Sequence, residues 1–305
     1  MQHIKPAFCR FDPAHLFDGL FVPTKGKKRG RLYVPPRKFG DLEISFQGFE
    51  QLGADDQSLL LAISAQLGID GLLIQEGSGG EISRQLWLDL QLQGETERAT
   101  ARTKKTTLRS LLTDAGYKSA GSTRDAKAIL NRLANAQVRE VNKRTGWDRR
   151  CNIISTHFNT LTGETFIAAN PRLAGVLFQG QHIRVSLHER RELETEQAKL
   201  LHCWLCSYVQ LGKSLGNGNG AKVENLIHHV YGPGETSRKT ASVRCGKIRD
   251  ALDEIRDKTA GLHRPGEGWA IDRQGGLVTV SRPKKIPMSE AMTEAAQRII
   301  EKSKE

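Results

Sequence analysis

The chain has 305 residues, 38% of them hydrophobic, and a formal net charge of +12. That length supports two modest cores, so two domains are the expectation. The positive excess points to a polyanionic partner, with a merely soluble basic protein as the plain alternative. No apolar run reaches the roughly 20 residues that cross a bilayer. The start "MQHIKPAFCRFDPAHLF" lacks the apolar stretch of a secretory signal, and an odd number of cysteines, five, fits free thiols in a reducing cytoplasm.

Residues 1–40 read as a poor core-former, and "PTKGKKRGRLYVPPRK" (23–38) reads as a flexible basic arm or a solvated linker. Order begins at 41–50, where Leu42, Ile44 and Phe46 alternate as in a strand. A helix follows over 53–69, with Asp55 or Asp56 as cap, Leu59, Ile63 and Leu67 as its stripe, and Gly68 as its stop. Short strands are predicted at 71–75 and at "RQLWLDLQL" (84–92). Two helices come next, over 103–117 and 123–144, the second with Ala126, Ile129, Leu130, Leu133 and Val141 in line. Residues 151–171 then read as two strands around a turn at Thr160–Gly163. Helices, turn, helix and hairpin outline a winged helix.

The outline recurs in the second half. A strand at 181–187 leads to a helix over 194–211, with Leu200, Leu201, Trp204, Leu205 and Tyr208 turned inward. After the loop "GKSLGNGNG" come helices over 221–232 and 237–258, then a hairpin over 268–284 with a Gly-Gly turn. The fold class is therefore α+β with two tandem winged-helix domains. The expected division is a basic arm at 1–40, a first winged helix at 41–180, a second at 181–285 and a helical tail at 286–305.

Residues 237–258 carry the strongest functional signal. Ala241, Cys245, Ile248, Leu252 and Ile255 recur at three and four residues and form the buried stripe. Lys239, Ser242, Val243 and Gly246 fall opposite, flanked by Lys247 and Arg249, and no acid precedes Asp250. A recognition helix enters the major groove by its N-terminal half, where Arg and Lys read guanine or grip phosphate and Val meets a thymine methyl. Helix-dipole optimisation does not explain acids at the C-terminal end. The plain alternative is a solvated face with an accidental order of charge. In the first half, Arg124, Lys127, Arg132 and Arg139 lie among Asp125 and Glu140, with Lys104, Lys105, Arg109 and Lys118 nearby. These suit phosphate contact better than base reading, or simple packing.

Other motifs are weighed and set aside. "CWLC" (203–206) is a CxxC, and His202, His228 and His229 could complete a zinc site by number. Both thiols lie on a Leu- and Trp-rich helix without a second CxxC, so buried thiols are the better reading and no metal is expected. "GKS" (212–214) lacks the glycine of a phosphate-binding loop, since Ser207 stands in its place. His228, His229 and Tyr231 suggest a nicking centre, but adjacent helical histidines point about 100° apart. Neither catalysis nor a cofactor is expected.

The chain resembles the RepC-type replication initiators of IncQ-like broad-host-range plasmids, within the wider class of tandem winged-helix initiators. The resemblance runs from about Leu42 to Lys284 and rests on "LGADD" (52–56), "QHIRVS" (181–186), "AKLLHCWLC" (198–206), "IRDAL" (248–252) and "TVSRPK" (279–284). It implies binding to direct repeats (iterons) in double-stranded origin DNA, opening of an adjacent AT-rich segment, self-association on the iterons, and work with a plasmid-encoded helicase and primase. It also implies that base reading falls on Arg238, Lys239, Ser242, Val243, Arg244 and Lys247. A transcriptional repressor and a DNA-nicking enzyme are the competing readings. The loop "GKSLGNGNG" is expanded relative to the family.

Overall fold

Helix α1 (Ala54–Asp70) sets the layout of the first half, because residues 56 through 67 are all buried. A helix enclosed on every side needs neighbours on every side. A computed structural model of the chain describes residues 5–287, apart from 27, 78, 95–99, 118–122, 179–180, 235 and 275. In it α1 is wrapped by β1 (Phe8–Phe11), α3 (Leu108–Ala115), α4 (Thr123–Ala134) and α5 (Pro171–Phe178).

Two antiparallel sheets complete this half. The first runs in the order β2 (Leu32–Phe39), β3 (Leu42–Gly48), β7 (Gln137–Asn142), β8 (Asp148–Asn152) and β5 (Gln93–Gly94). The second runs β4 (Leu72–Ile74), β6 (Ala101–Thr107), β10 (Glu164–Ala169) and β9 (Ile154–Phe158). Helix α2 (Glu81–Asp89) packs on the second sheet, where Leu86, Trp87 and Leu90 meet Ile74, Ala101 and Ala168.

The second half is β11 (Ile183–Ser186), α6 (Leu187–Glu192), α7 (Glu196–Tyr208), β12 (Ala221–Lys222), α8 (Val223–Tyr231), α9 (Arg238–Thr259), β13 (Ala270–Gln274) and β14 (Leu277–Ser281). Helices α7, α8 and α9 pack on one another, and an antiparallel sheet runs β12-β14-β13. The halves are not separate bodies. One core runs from Phe11, Ile44 and Leu61 to Leu201, Ile248 and Val280. Arg190, fully buried, ties them with donated hydrogen bonds to Ala54 O (3.2 Å) and Ser58 Oγ on α1 and to Lys199 O (2.5 Å) on α7.

The sequence reading is corrected in several places. Residues 5–40 are no loose arm: β1 pairs with β11, and Cys9, Phe11, Leu20, Leu32 and Val34 are buried. Pro35 and Pro36 sit at a register shift in β2, an edge strand where missing N–H donors do no harm. The run 84–92 is the end of helix α2, not a strand. Alternating leucines suggested a strand, but Ile82, Leu86 and Leu90 recur every four residues, and Leu88 is exposed. Residues 103–107 are strand, with β-branched Thr103, Thr106 and Thr107, and Thr107 Oγ1 then caps α3 by accepting from Ser110 N at 3.1 Å. The helix over 123–144 divides into α4 and β7, where Val138 and Glu140 point inward while Arg139 points out, a two-residue period. Helix α1 runs past Gly68 to Asp70, and its N-cap is Gly53, whose N–H donates to Asp56 Oδ2 at 2.6 Å. Tyr208 is exposed rather than inward. The expected tail lies almost wholly in 288–305, outside the described residues.

Asp12 is fully buried beside His15 and Arg172. Burial opposes its charge, but His15 and the Arg172 guanidinium prevail and hold the carboxyl well below the usual range. A carboxyl depressed on folding stabilises above its unfolded pKa, near 4, and loses that contribution as pH falls through the folded value. Asp12→Asn should therefore cost about 3–5 kcal/mol at neutral pH, a gap that narrows steadily below pH ~4; urea unfolding at several pH values measures both. Phe11→Ala should cost about 3–5 kcal/mol in the same assay, whereas a loose arm would give almost nothing.

Candidate nucleic-acid interface

Ser237 starts α9 by accepting from Thr240 N at 3.2 Å. Cys245, Ile248, Ala251, Leu252, Ile255 and Thr259 are buried, and Ala241 is half-buried at the stripe's outer end. Arg238, Lys239, Ser242, Val243, Lys247 and Arg249 are exposed. Arg244 differs: it is half-buried, with its guanidinium 4.6 Å from the centre of the Tyr231 ring. A cation held over an aromatic face is less available to a ligand.

The two ends of α9 are electrostatically unlike. Among the described residues, none of Arg238, Lys239, Lys247 and Arg249 forms an ion pair. In the back half, Glu254 and Asp253 are engaged with other elements, Asp257 pairs with its neighbour Arg256, and Asp250 is exposed with no ion pair among the described residues. Glu254 accepts from Glu194 N (2.5 Å), Thr195 N (3.0 Å) and Thr195 Oγ1 (2.6 Å), so it caps the start of α7. Asp253 meets Arg273 at 2.5 Å and Arg256 at 3.3 Å. Arg273 also donates to Arg249 O at 2.8 Å, which fastens the β13–β14 hairpin to α9. Sequence reasoning missed Arg273 and Glu254, since nothing local marks a partner over 20 residues away.

The first half is less clear. Lys104 and Lys105 lie on β6 rather than a helix and are paired with Asp70 and Glu164. Lys127 sits 5.6 Å from the centre of the Phe158 ring. Arg132 meets buried Asp56 at 2.8 Å, and Arg139 meets Asp148 at 2.5 Å. Arg109 on α3 and Arg124 on α4 are exposed without an ion pair among the described residues. Lys118 lies outside the described residues.

A family model described as Replication protein C (RepC) matches residues 3–263, from the chain's start through all of α9. The chain belongs to the RepC family. Its members are plasmid replication proteins. A comparison with curated proteins gave no match. The RepC match ends before the β13–β14 hairpin.

The remaining motifs of this RepC-family chain can now be placed. Cys203 and Cys206 are buried, as are Cys9, Cys151 and Cys245, and all five are free thiols. His229 lies 2.8 Å from Asp18 and stacks on Trp204 at 4.1 Å, while His228 is exposed. The two rings therefore do not converge. Tyr231 is half-buried beneath Arg244, and burial pushes its phenol up. Gly246 faces open space, with no atom within 4 Å of where a Cβ would stand. Gly246→Ala should consequently stabilise the free protein by about 1 kcal/mol, read as a higher thermal midpoint.

Proposed function

We propose that this RepC-family chain initiates plasmid replication by binding iterons in double-stranded origin DNA through two winged-helix units. Bound copies would promote opening of the adjacent duplex and loading of a plasmid-encoded helicase, with its primase, without catalysing a reaction themselves. The observation that carries the reading is the group of cations at the front of α9 that form no ion pair among the described residues, set against a back half where Asp253 and Glu254 are engaged by the hairpin and by α7. The order α7, β12, α8, α9, β13, β14 supports it, because helix, strand, two helices and a hairpin make up a winged helix. In the first half α1, β5, α3, α4 and the β7–β8 hairpin repeat that order, β5 pairing with β8 as β12 pairs with β14, with β4, α2 and β6 inserted.

In this reading α9 enters the major groove by its front. Arg238, Lys239 and Lys247 present donors to guanine or phosphate, and Val243, 55% exposed, presents methyl groups to thymine. Arg244 serves mainly to hold Tyr231. Arg109 and Arg124 suit phosphate contacts, which position the protein without reading sequence. Several copies side by side would bend the origin, and deformation would concentrate at its flexible steps. Such an initiator stays in the cytoplasm with its plasmid.

Footprinting on the native origin tests this directly. Each copy should protect roughly 20 bp, about two turns, as a direct repeat. Lys247→Ala should weaken specific binding by about 1–3 kcal/mol and relax base preference. Arg124→Ala should weaken binding evenly across sequences and lower the log–log salt slope by about 1. Gly246→Ala should reduce DNA affinity although it stabilises the free protein, because the added methyl meets the groove. Protection of an inverted repeat by a symmetric dimer would point instead to a repressor. A covalent DNA adduct abolished by Tyr231→Phe would point to a nicking enzyme.

A further inference from the structure

His202 and Cys206 lie one turn apart on α7, so both side chains leave the same face. His202 Nε2 faces two groups at once, Glu189 Oε2 of α6 at 2.9 Å and Cys206 Sγ at 3.7 Å. The carboxylate oxygen, ring nitrogen and sulfur all lie within 4.8 Å of one another, and all three residues are buried. The ring's Nδ1 meets no hydrogen-bond partner among the described residues, so Nε2 carries its polar engagement. One proton on Nε2 can serve either neighbour well, but not both. A divalent ion between them would be met by all three.

We propose that Glu189, His202 and Cys206 hold a zinc ion, with water in the fourth position. Imidazole nitrogen, thiolate sulfur and carboxylate oxygen are the donors zinc takes, in tetrahedral array at about 2.0–2.3 Å. Donors on such a tetrahedron stand roughly 3.3–3.8 Å apart. The 3.7 Å contact already fits, and the 2.9 Å contact opens by a few tenths of an ångström when metal replaces the shared proton. Binding forms the S–Zn and N–Zn bonds, releases the Cys206 thiol proton to solvent and moves the His202 proton from Nε2 to Nδ1, a net release of one proton. Carboxylate and thiolate then neutralise the ion, so the site tolerates the neighbouring Arg282.

The surroundings suit the role. Glu189 Oε1, the oxygen turned away from His202, accepts from Trp269 Nε1 at 3.1 Å and lies 2.8 Å from His263 Nε2. Such outer partners fix a ligating carboxylate. Of the three ligands, Cys206 also lines a cleft of about 560 Å³ with Gln181, Arg184 and Arg282. Cys203, the other half of the CxxC, is not part of the group. The ion would join α6 to α7 and, through His263 and Trp269, to the segment entering the β13 hairpin. It would brace the frame behind α9.

The test uses the full-length chain purified without a polyhistidine tag. Elemental analysis should find zinc near one equivalent. After chelation and dialysis against cobalt, a thiolate-to-metal absorption band should appear, and zinc should raise the thermal midpoint of the stripped protein. Cys206→Ser should lose the band and Glu189→Gln the thermal shift, while Cys203→Ser keeps both. A wild-type chain that takes up neither zinc nor cobalt overturns the proposal, and so does a band that survives Cys206→Ser or vanishes in folded Cys203→Ser. Should Cys206→Ser fail to fold, the zinc content and cobalt spectrum of the wild type decide alone.

Discussion

Helix α1 has no face to give to solvent, yet it carries polar side chains among its leucines, and their partners must come from inside the protein. Ser58 and Ser64 donate back to Ala54 O and Leu60 O on the helix itself. Asp56 and Gln66 reach outward, while Gln57 Oε1 meets no hydrogen-bond partner among the described residues. Asp56 meets Arg29 and Arg132, each at 2.8 Å, and Gln66 donates to Asp114 at 2.7 Å. The Arg190 guanidinium closes on the first turn from α6. A buried polar group left unpaired costs roughly 1–3 kcal/mol, as much as or more than the roughly 1 kcal/mol net of an average hydrogen bond. The segment around Arg29, helices α3, α4 and α6 are thus each held against α1 at a fixed angle and register. The apolar stripe supplies the driving force, and these polar partners select the arrangement.

The same separation of duties governs α9. Its back half belongs to the protein: Glu254 caps α7 and Asp253 anchors the hairpin through Arg273. These two acids are structural, which explains why they stand toward the end of a helix where the dipole disfavours them. In the front half Arg244 lies over Tyr231, while Arg238, Lys239 and Lys247 form no ion pair among the described residues. The helix is thereby one rigid piece with a fixed end and an offered end.

The second half was legible because its signals are local. The stripe of α9 recurs at helical spacing, and the hairpin turns on glycine, so short-range pattern and final structure agree. The first half misled where two patterns overlap. In "RQLWLDLQL" the leucines satisfy both a two-residue and a four-residue period, and only the sheet beneath α2 decides between them. In "TKKTTLRSLL" strand passes directly into helix at Thr107, with no glycine or proline to mark the change. Candidate cations on α9 could be read from their spacing. Lys104 and Lys105 could not be discounted that way, because their partners Asp70 and Glu164 are far along the chain. The convergence at Glu189 was out of reach for the same reason, since His202 lies 13 residues and His263 74 residues further along the chain.

Strand β1 has its partner in β11, from Phe8 opposite Ser186 to Phe11 opposite Ile183. During synthesis the first strand must wait while roughly 170 further residues are made, some ten to thirty-five seconds at bacterial elongation rates of about 5–20 residues per second. Until then the hydrogen-bonding edge of β1 has no strand partner, although α1 and α5, both made earlier, can already pack against it. Slow translation over residues 12–182 would lengthen the wait of β1 for its partner, so the yield of the folded protein is tied to how fast the middle of its message is read.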